Sequence, residues 1–173
     1  IAILYRSNAQ SRTLEEALLR EKIPYRIYGG QRFFERAEIK NAMAYLRLLS
    51  QPGNDAALER VINLPPRGIG EKTVETIREQ ARAADLSMHA AISLIITNKG
   101  LPARACGALA GFLETLDNLA AKVLEMPLGL MTQTVIEQSG LLAYHKEEKG
   151  EKAQARVENL EELVSAARNF ETS

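Results

Sequence analysis

Apolar residues recur at three- and four-residue steps through most of this chain, and that spacing predicts amphipathic helices. From residue 55 onward alanine, leucine, glutamate, lysine and arginine dominate, and no β-type alternation lasts beyond a few positions. We therefore expect helices at residues 35–49, 55–63, 71–83, 87–97, 103–125, 131–139 and 151–170. The charge-rich run from residue 145 to 152 predicts a solvated loop before the last helix.

The first 30 residues follow a different pattern. Residues 1–5 are apolar on both alternating faces, which is typical of a strand covered on both sides. Thr13 and Glu16 stand in capping-box spacing at the start of a helix that Pro24 ends, and residues 25–28 predict a second strand. Strand, helix and strand together predict a short βαβ segment of a parallel sheet. The expected fold class is therefore mainly α, a helical bundle preceded by this segment of an incomplete sheet domain.

The change of pattern also predicts a division of the chain. We expect residues 1–30 to form the βαβ segment and residues 31–173 to form the helical domain. The chain opens on Ile1 without a methionine, which indicates a piece of a longer protein. Because an uncovered strand edge invites pairing, residues 1–5 are expected to be exposed, rearranged or paired with a second copy of the chain.

A Gly-x-Gly turn between two predicted helices is the strongest candidate for chemistry. Pro65 and Pro66 stop the incoming helix, and the next helix begins just after Gly68 and Gly70. Glycines let backbone N–H groups approach an anion closely, and the start of the next helix adds its positive dipole end. The side chains that could add charge or a hydroxyl donor are Arg67, Lys72 and Thr73. The alternative is a corner whose glycines serve only the chain reversal.

Composition narrows the classes of function. With 22 basic and 22 acidic residues the net charge is zero, so nucleic-acid binding requires a local patch. Cys106 is the single cysteine, which excludes an internal disulfide and fits a reducing compartment. No apolar run reaches the ~18 residues of a membrane span. We expect a cytoplasmic protein that does not bind a membrane.

Catalytic motifs are missing from the sequence. It contains no P-loop, no nucleophile elbow and no His-Glu-x-x-His motif, and its two histidines, His89 and His145, lie far apart. We expect no catalytic residue, no metal site and no cofactor in this chain.

A polar turn follows the first predicted strand, where open parallel sheets bind ligands. Arg6 could pair with a phosphate there, and Asn8 could hydrogen-bond a nucleic-acid backbone or base. The alternative is a solvated turn in which Ser11 caps the following helix.

Several long motifs occur in a fixed order along the chain. They are Ala2-Ile3-Leu4-Tyr5-Arg6-Ser7-Asn8-Ala9-Gln10-Ser11-Arg12, Ile23-Pro24-Tyr25 with Gly29-Gly30, Phe33-Phe34-Glu35-Arg36-Ala37-Glu38-Ile39-Lys40, Pro66-Arg67-Gly68-Ile69-Gly70 with Thr73, and Glu148-Lys149-Gly150-Glu151 leading into Arg156-Val157-Glu158-Asn159-Leu160-Glu161-Glu162-Leu163. Together they resemble the UvrD/PcrA/Rep family of superfamily 1 DNA helicases. The resemblance covers essentially the whole chain.

The resemblance implies a four-part motor in which two RecA-like domains bind ATP between them and each carries an inserted helical domain. Residues 1–30 then belong to the RecA-like domain called 2A, and residues 31–173 to its insertion, 2B, ending before the return to 2A. ATP and Mg²⁺ are implied for the parent protein only, because its nucleotide-binding loop and acidic motif are absent here. The implied partners are duplex and single-stranded DNA, the remaining helicase domains and repair proteins.

The resemblance also implies DNA-binding residues. Arg6 and Asn8 fall on the motif that touches single-stranded DNA, and Arg32 falls on a basic position near the 2A–2B junction. The turn that holds duplex phosphates comprises Gly68, Ile69, Gly70 and Thr73, flanked by Arg67 and Lys72. We expect a DNA-binding and regulatory fragment of an ATP-dependent 3′-to-5′ DNA helicase acting in repair. The alternative is a protein-interaction or autoinhibitory helical module with little DNA affinity of its own.

Overall fold

A computed structural model describes residues 1–27 and 32–171 of the chain. Within those ranges the regular elements are α-helices and two short 3₁₀ turns, Asn8–Gln10 and Phe33–Glu35. The helices are α1 Ser11–Arg20, α2 Ala37–Ser50, α3 Asp55–Val61, α4 Glu71–Ala84, α5 Met88–Asn98, α6 Ala103–Val123, α7 Leu128–Gln138, α8 Leu141–Glu147 and α9 Glu151–Glu171. The expectation of a mainly helical protein is confirmed.

The predicted βαβ segment is wrong. Its helix is present as α1, but no described residue is in a strand, and residues 1–5 and 23–27 run without ladder partners. Leu4 is 95% exposed and Ile3 is 50% exposed, so the apolar pattern of residues 1–5 is not buried. A strand needs a neighbour for its backbone groups, and the residues that the structure describes supply none. Tyr28, Gly29 and Gly30 lie outside the described residues.

The predicted loop at residues 145–152 is only partly a loop. Helix α8 continues to Glu147, and α9 begins at Glu151. His145 is buried, with Nδ1 2.8 Å from Oε2 of Glu148, while its Nε2 has no hydrogen-bond partner among the described residues. Arg156 donates to both carboxylate oxygens of Glu148 at 2.7 Å. The charge run therefore contains an ordered contact between the α8–α9 connection and α9.

Helix α2 lies between two hydrophobic clusters. Tyr45 and Leu48 on α2 pack into the larger cluster, which α3 to α7 complete. Ile39 and Ala42, one or two turns earlier, pack into a smaller cluster with residues of α7, α8 and α9. Full burial of a side chain the size of Ile39 stabilises the fold by about 1.5–3 kcal/mol. Helix α2 thus connects the region of the Gly-x-Gly turn to the C-terminal helices.

Polar groups connect the N-terminal segment to the bundle. Arg36 donates to Oδ1 of Asn159 at 2.9 Å and to Oγ of Ser11 at 2.8 Å, and all three residues are buried. Arg12, also buried, pairs with Glu162 on α9 at 2.6 Å. Burial lowers the pKa of Arg36, against the opposing effect of nearby carboxylates. Helix α1 is therefore held near α9 by one ion pair, Arg12 to Glu162, and by Arg36, which bridges Ser11 and Asn159.

Candidate nucleic-acid interface

The turn between α3 and α4 is fixed by Asn63. Its Oδ1 accepts hydrogen bonds from the backbone N–H groups of Arg67, at 2.8 Å, and Ile69, at 3.1 Å. The Ile69 side chain is 2% exposed and packs in the larger cluster. The two hydrogen bonds to Asn63 and the buried side chain of Ile69 together hold the turn in one conformation. Ile69, expected to contact DNA, has its N–H and its side chain engaged within the protein.

Arg67 points into the protein. Its guanidinium lies 5.2 Å from the ring centroid of Phe112 and 5.9 Å from that of Tyr45. It donates at distances from 2.7 to 3.4 Å to the carbonyl oxygens of Val61, Ile62, Pro65 and Ser139 and to the hydroxyl of Tyr45. Arg67 therefore ties the turn to α2 and to the end of α7, and its guanidinium donors are used within the fold.

The outer side of the turn carries open backbone donors. Gly68 has φ +76°, a left-handed conformation that favours glycine, and Gly70 precedes the first residue of α4. Within the described residues, no backbone N–H of Gly68, Gly70, Glu71 or Lys72 donates a hydrogen bond. A Cβ added at either glycine would meet no atom within 4 Å. Free N–H groups of exposed residues at a helix start suit a phosphate.

Two side chains accompany these donors. Lys72 is exposed, and Thr73 is half-buried with a hydroxyl that has no hydrogen-bond partner among the described residues. Three acidic residues also lie near the turn, and each of them forms an ion pair with Arg78. Its guanidinium pairs with Glu59 at 3.0 Å and with Glu75, and lies 3.9 Å from Glu71. The hydrogen bond to Glu59 is the largest cause of the raised pKa of Arg78.

The other expected DNA-binding residues lie on the N-terminal segment and at the start of the bundle. Arg6 is exposed, and its backbone N–H donates to Oε1 of Gln10. Asn8 lies in the first 3₁₀ turn, and its side chain is outside what the structure describes. Arg32 is exposed, with its guanidinium 5.5 Å from the ring centroid of Tyr25. The segment around Arg6 packs on α1 and α9, whereas the turn packs on α2 and α7, so these residues form separate candidate surfaces.

Sequence reasoning missed the residues that shape the turn. Asn63 and Tyr45 bear no charge and stand outside the Gly-x-Gly motif, so residue type alone gives no sign of their role. The spacing from Asn63 to Arg67 and Ile69 offers a signal, because an Asn side chain often bonds to backbone groups a few residues onward. Of the described helices, none is long and apolar enough to cross a membrane. The described side chains likewise hold no group of three or more His, Cys, Asp or Glu that could bind a metal ion.

Comparison with known proteins agrees with this architecture. Residues 1–100 match the family model described as the UvrD-like helicase C-terminal domain. The chain is 54% identical over 169 residues to DNA helicase II of Escherichia coli strain K12, covering 98% of this chain and 24% of that protein. It is 52% identical to DNA helicase II of Haemophilus influenzae, covering 98% of this chain and 23% of the relative. It is 39% identical over 171 residues to the ATP-dependent DNA helicase PcrA of Bacillus subtilis, covering 99% of this chain and 23% of that protein.

The fold and the turn show which class of protein this is. It is a helical module with unpaired backbone N–H groups in a turn between two helices. The chain belongs to the UvrD-like helicase C-terminal domain family. Within that family the motifs at residues 148–163 favour DNA helicase II, and the similarity to the named relatives confirms that resemblance. The chain spans about a quarter of the length of the curated relatives it matches.

Proposed function

We propose that this chain is a DNA-binding and regulatory part of an ATP-dependent 3′-to-5′ DNA helicase that acts in DNA repair. The observation that carries the proposal is the turn, whose free N–H groups belong to exposed residues at the start of a 14-residue helix. Such donors bind phosphates without regard to base sequence, which suits a protein that must act on any duplex. The similar bacterial proteins are named DNA helicases, which supports the same proposal.

Each site residue has a role in the proposal. Gly68 and Gly70 with the following amides hold the duplex backbone, and Lys72 and Thr73 add a charge and a hydroxyl. Arg67 and Ile69 position the turn from inside. The proposed contacts to single-stranded DNA are Arg6, Asn8 and Arg32.

The proposal also covers the organisation of the parent protein. We assign residues 1–30 to motor domain 2A and residues 31–173 to its insertion 2B. ATP and Mg²⁺ act in the parent protein, consistent with relatives named ATP-dependent helicases. The remaining helicase domains and repair proteins are the proposed protein partners, and the bacterial cytoplasm is the proposed place of action.

Adding a single methyl group at Gly70 tests whether the turn binds duplex DNA. In Gly70→Ala the added Cβ meets no protein atom, and the φ of −82° suits alanine, so the fold should be kept. The same methyl lies where a phosphate would approach the N–H groups. We expect the affinity for a labelled hairpin duplex, measured by fluorescence anisotropy, to fall about 10- to 100-fold, the range for a lost hydrogen bond to a charged group.

Gly107→Ala is the matched control, since a Cβ at that position of α6 also meets nothing within 4 Å. Affinity of the unchanged chain and of the control should fall with salt, at a log–log slope of about −0.9 for each phosphate contacted. Equal affinity of the Gly70 and Gly107 variants, or a nearly salt-independent signal, would contradict duplex binding at the turn. It would favour the protein-interaction or autoinhibitory module instead.

A further inference from the structure

Phe34 is an exposed aromatic side chain in a fixed position. It lies in the 3₁₀ turn Phe33–Glu35 and is 51% exposed, whereas its neighbour Phe33 is 1% exposed. The two rings meet edge to face, with centroids 5.1 Å apart and planes at 89°. The buried ring of Phe33 thus anchors the turn and leaves a face of Phe34 available to a ligand.

A buried carboxylate organises the residues around Phe34. Glu15, 8% exposed, accepts hydrogen bonds from the hydroxyl of Tyr25 at 3.1 Å and from the backbone N–H of Phe33 at 3.3 Å. The guanidinium of Arg32 lies 5.5 Å from the centroid of the Tyr25 ring. Glu15 therefore fixes the phenol beneath Arg32 and the turn that carries Phe34. Arg32 and Phe34 both remain exposed, one on each side of Phe33.

We propose that Phe34 and Arg32 form a base-stacking subsite for single-stranded nucleic acid. A fixed aromatic face beside a cation is the combination that binds unpaired bases and their phosphates without sequence preference. Arg26, next to Tyr25 in the sequence, is also exposed and carries a second positive charge. Glu35, also exposed, lies in the same 3₁₀ turn as Phe34, so Arg26, Arg32 and Glu35 together carry one net positive charge, which favours a polyanion over an apolar protein surface. The inference rests on the proposed function in taking single-stranded DNA as the ligand, and it extends that function by naming Phe34 and the stacking contact.

Phe34→Trp provides a direct reporter, because the chain contains no tryptophan. Stacking of a base on the new indole should quench its fluorescence in a saturable way when oligothymidylate is added. Phe170→Trp is the control, since Phe170 is also an exposed aromatic residue but lies near the end of α9. We expect saturable quenching in the Phe34 variant and little in the Phe170 variant. Equal quenching in both would overturn the proposal.

Affinity gives an independent test. Phe34→Ala should weaken binding of labelled oligothymidylate by roughly 5- to 100-fold, the range for one lost base-stacking contact, and Phe34→Tyr should retain binding. Arg32→Gln should reduce the slope of log affinity for oligothymidylate against log salt concentration by about 0.7, as expected for one lost phosphate contact to a single strand. Unchanged affinity in Phe34→Ala would overturn the proposal.

The hairpin assay separates this subsite from the turn. Phe34→Ala should leave duplex affinity unchanged, and Gly70→Ala should leave oligothymidylate quenching in the Phe34→Trp background unchanged. Loss of quenching caused by Gly70→Ala would contradict a separate subsite. Retained quenching together with absent duplex binding would instead show that the stacking inference holds while the proposed duplex contact fails.

Discussion

At the scale of single residues, the two cations beside the turn have different positions. Arg67 has five acceptors inside the protein, whereas Lys72 is exposed beside the free amides. The sequence predicts both as phosphate ligands because it shows charge and spacing only. The direction of Arg67 depends on Tyr45 and Ser139, which α2 and α7 bring to the turn from distant parts of the chain. Only the tertiary structure supplies that information.

Replacing each cation by methionine should separate stability from binding. Arg67→Met removes the guanidinium and its hydrogen bonds to the carbonyl oxygens of Ile62, Pro65 and Ser139, so we expect a loss of roughly 2–4 kcal/mol in the free energy of unfolding. Lys72→Met should change that free energy by less than about 0.5 kcal/mol. It should instead reduce the salt slope of hairpin binding by about 0.9. Urea unfolding and anisotropy measure the two effects, and an equal loss of stability in both variants would contradict this division.

At the scale of secondary-structure elements, the sequence pattern predicts helices correctly but predicts strands that the described residues do not form. The helical pattern of residues 35–49 and 103–125 closely matches α2 and α6, because each helix satisfies its own backbone hydrogen bonds and needs neighbours only for one face. Residues 1–5 have a strand-like pattern, but a strand depends on a partner, and residues 1–27 and 32–171 provide none. The apolar pattern therefore predicts the element correctly only when its partners are present.

The contact between α7 and α9 depends on Gly129. A Cβ at this position would overlap Cγ of Arg168 and lie 3.1 Å from its Cα, so the Arg168 side chain would have to move and α9 would have to shift slightly. We expect Gly129→Ala to destabilise the protein by roughly 1–3 kcal/mol in urea unfolding. Gly111→Ala is the control, since a Cβ there meets no atom within 4 Å, and it should stabilise α6 by about 0.5–1 kcal/mol. Stabilisation by both substitutions would show that α7 and α9 are not packed this closely.

The connection between α8 and α9 should make stability depend on pH. The hydrogen bond with His145, followed by that from Arg156, lowers the pKa of Glu148 below its ordinary value. A carboxyl whose pKa is lower in the folded state stabilises the fold above its unfolded pKa, and that stabilisation is lost as pH falls through the folded pKa. Glu148→Gln should therefore be less stable than the unchanged chain at neutral pH.

The difference should shrink at acidic pH, because the unchanged Glu148 becomes protonated as pH falls through its lowered pKa. Glu147→Gln is the control, because the exposed Glu147 has no hydrogen-bond or ion-pair partner among the described residues. Urea unfolding at both pH values measures the comparison. A difference between Glu148→Gln and the unchanged chain that is the same at both pH values would exclude the carboxylate charge as its cause.

At the scale of the whole molecule, the two ends of the described chain meet through polar groups. Ser7 donates to Oε2 of Glu158 at 2.8 Å, and Arg12 pairs with Glu162, so the N-terminal segment packs on α9. The sequence could not predict this contact, because the residues lie about 150 positions apart and each is an ordinary surface type. Residues 1–5 stay outside both hydrophobic clusters. The molecule thus has a packed helical body and an N-terminal apolar segment that the described chain covers only in part, with Leu4 95% and Ile3 50% exposed.

That segment should pair with a second copy. Leu4 is 95% exposed, and the extended backbone around it has unpaired N–H and C=O groups, which together favour edge-to-edge association. We expect the chain to form a concentration-dependent dimer in sedimentation velocity and Leu4→Lys to weaken it, because a charge on an edge opposes pairing. Leu124→Lys is the control, since Leu124 is 80% exposed but follows a helix. A monomer at every concentration, or equal weakening by both substitutions, would exclude pairing through residues 1–5.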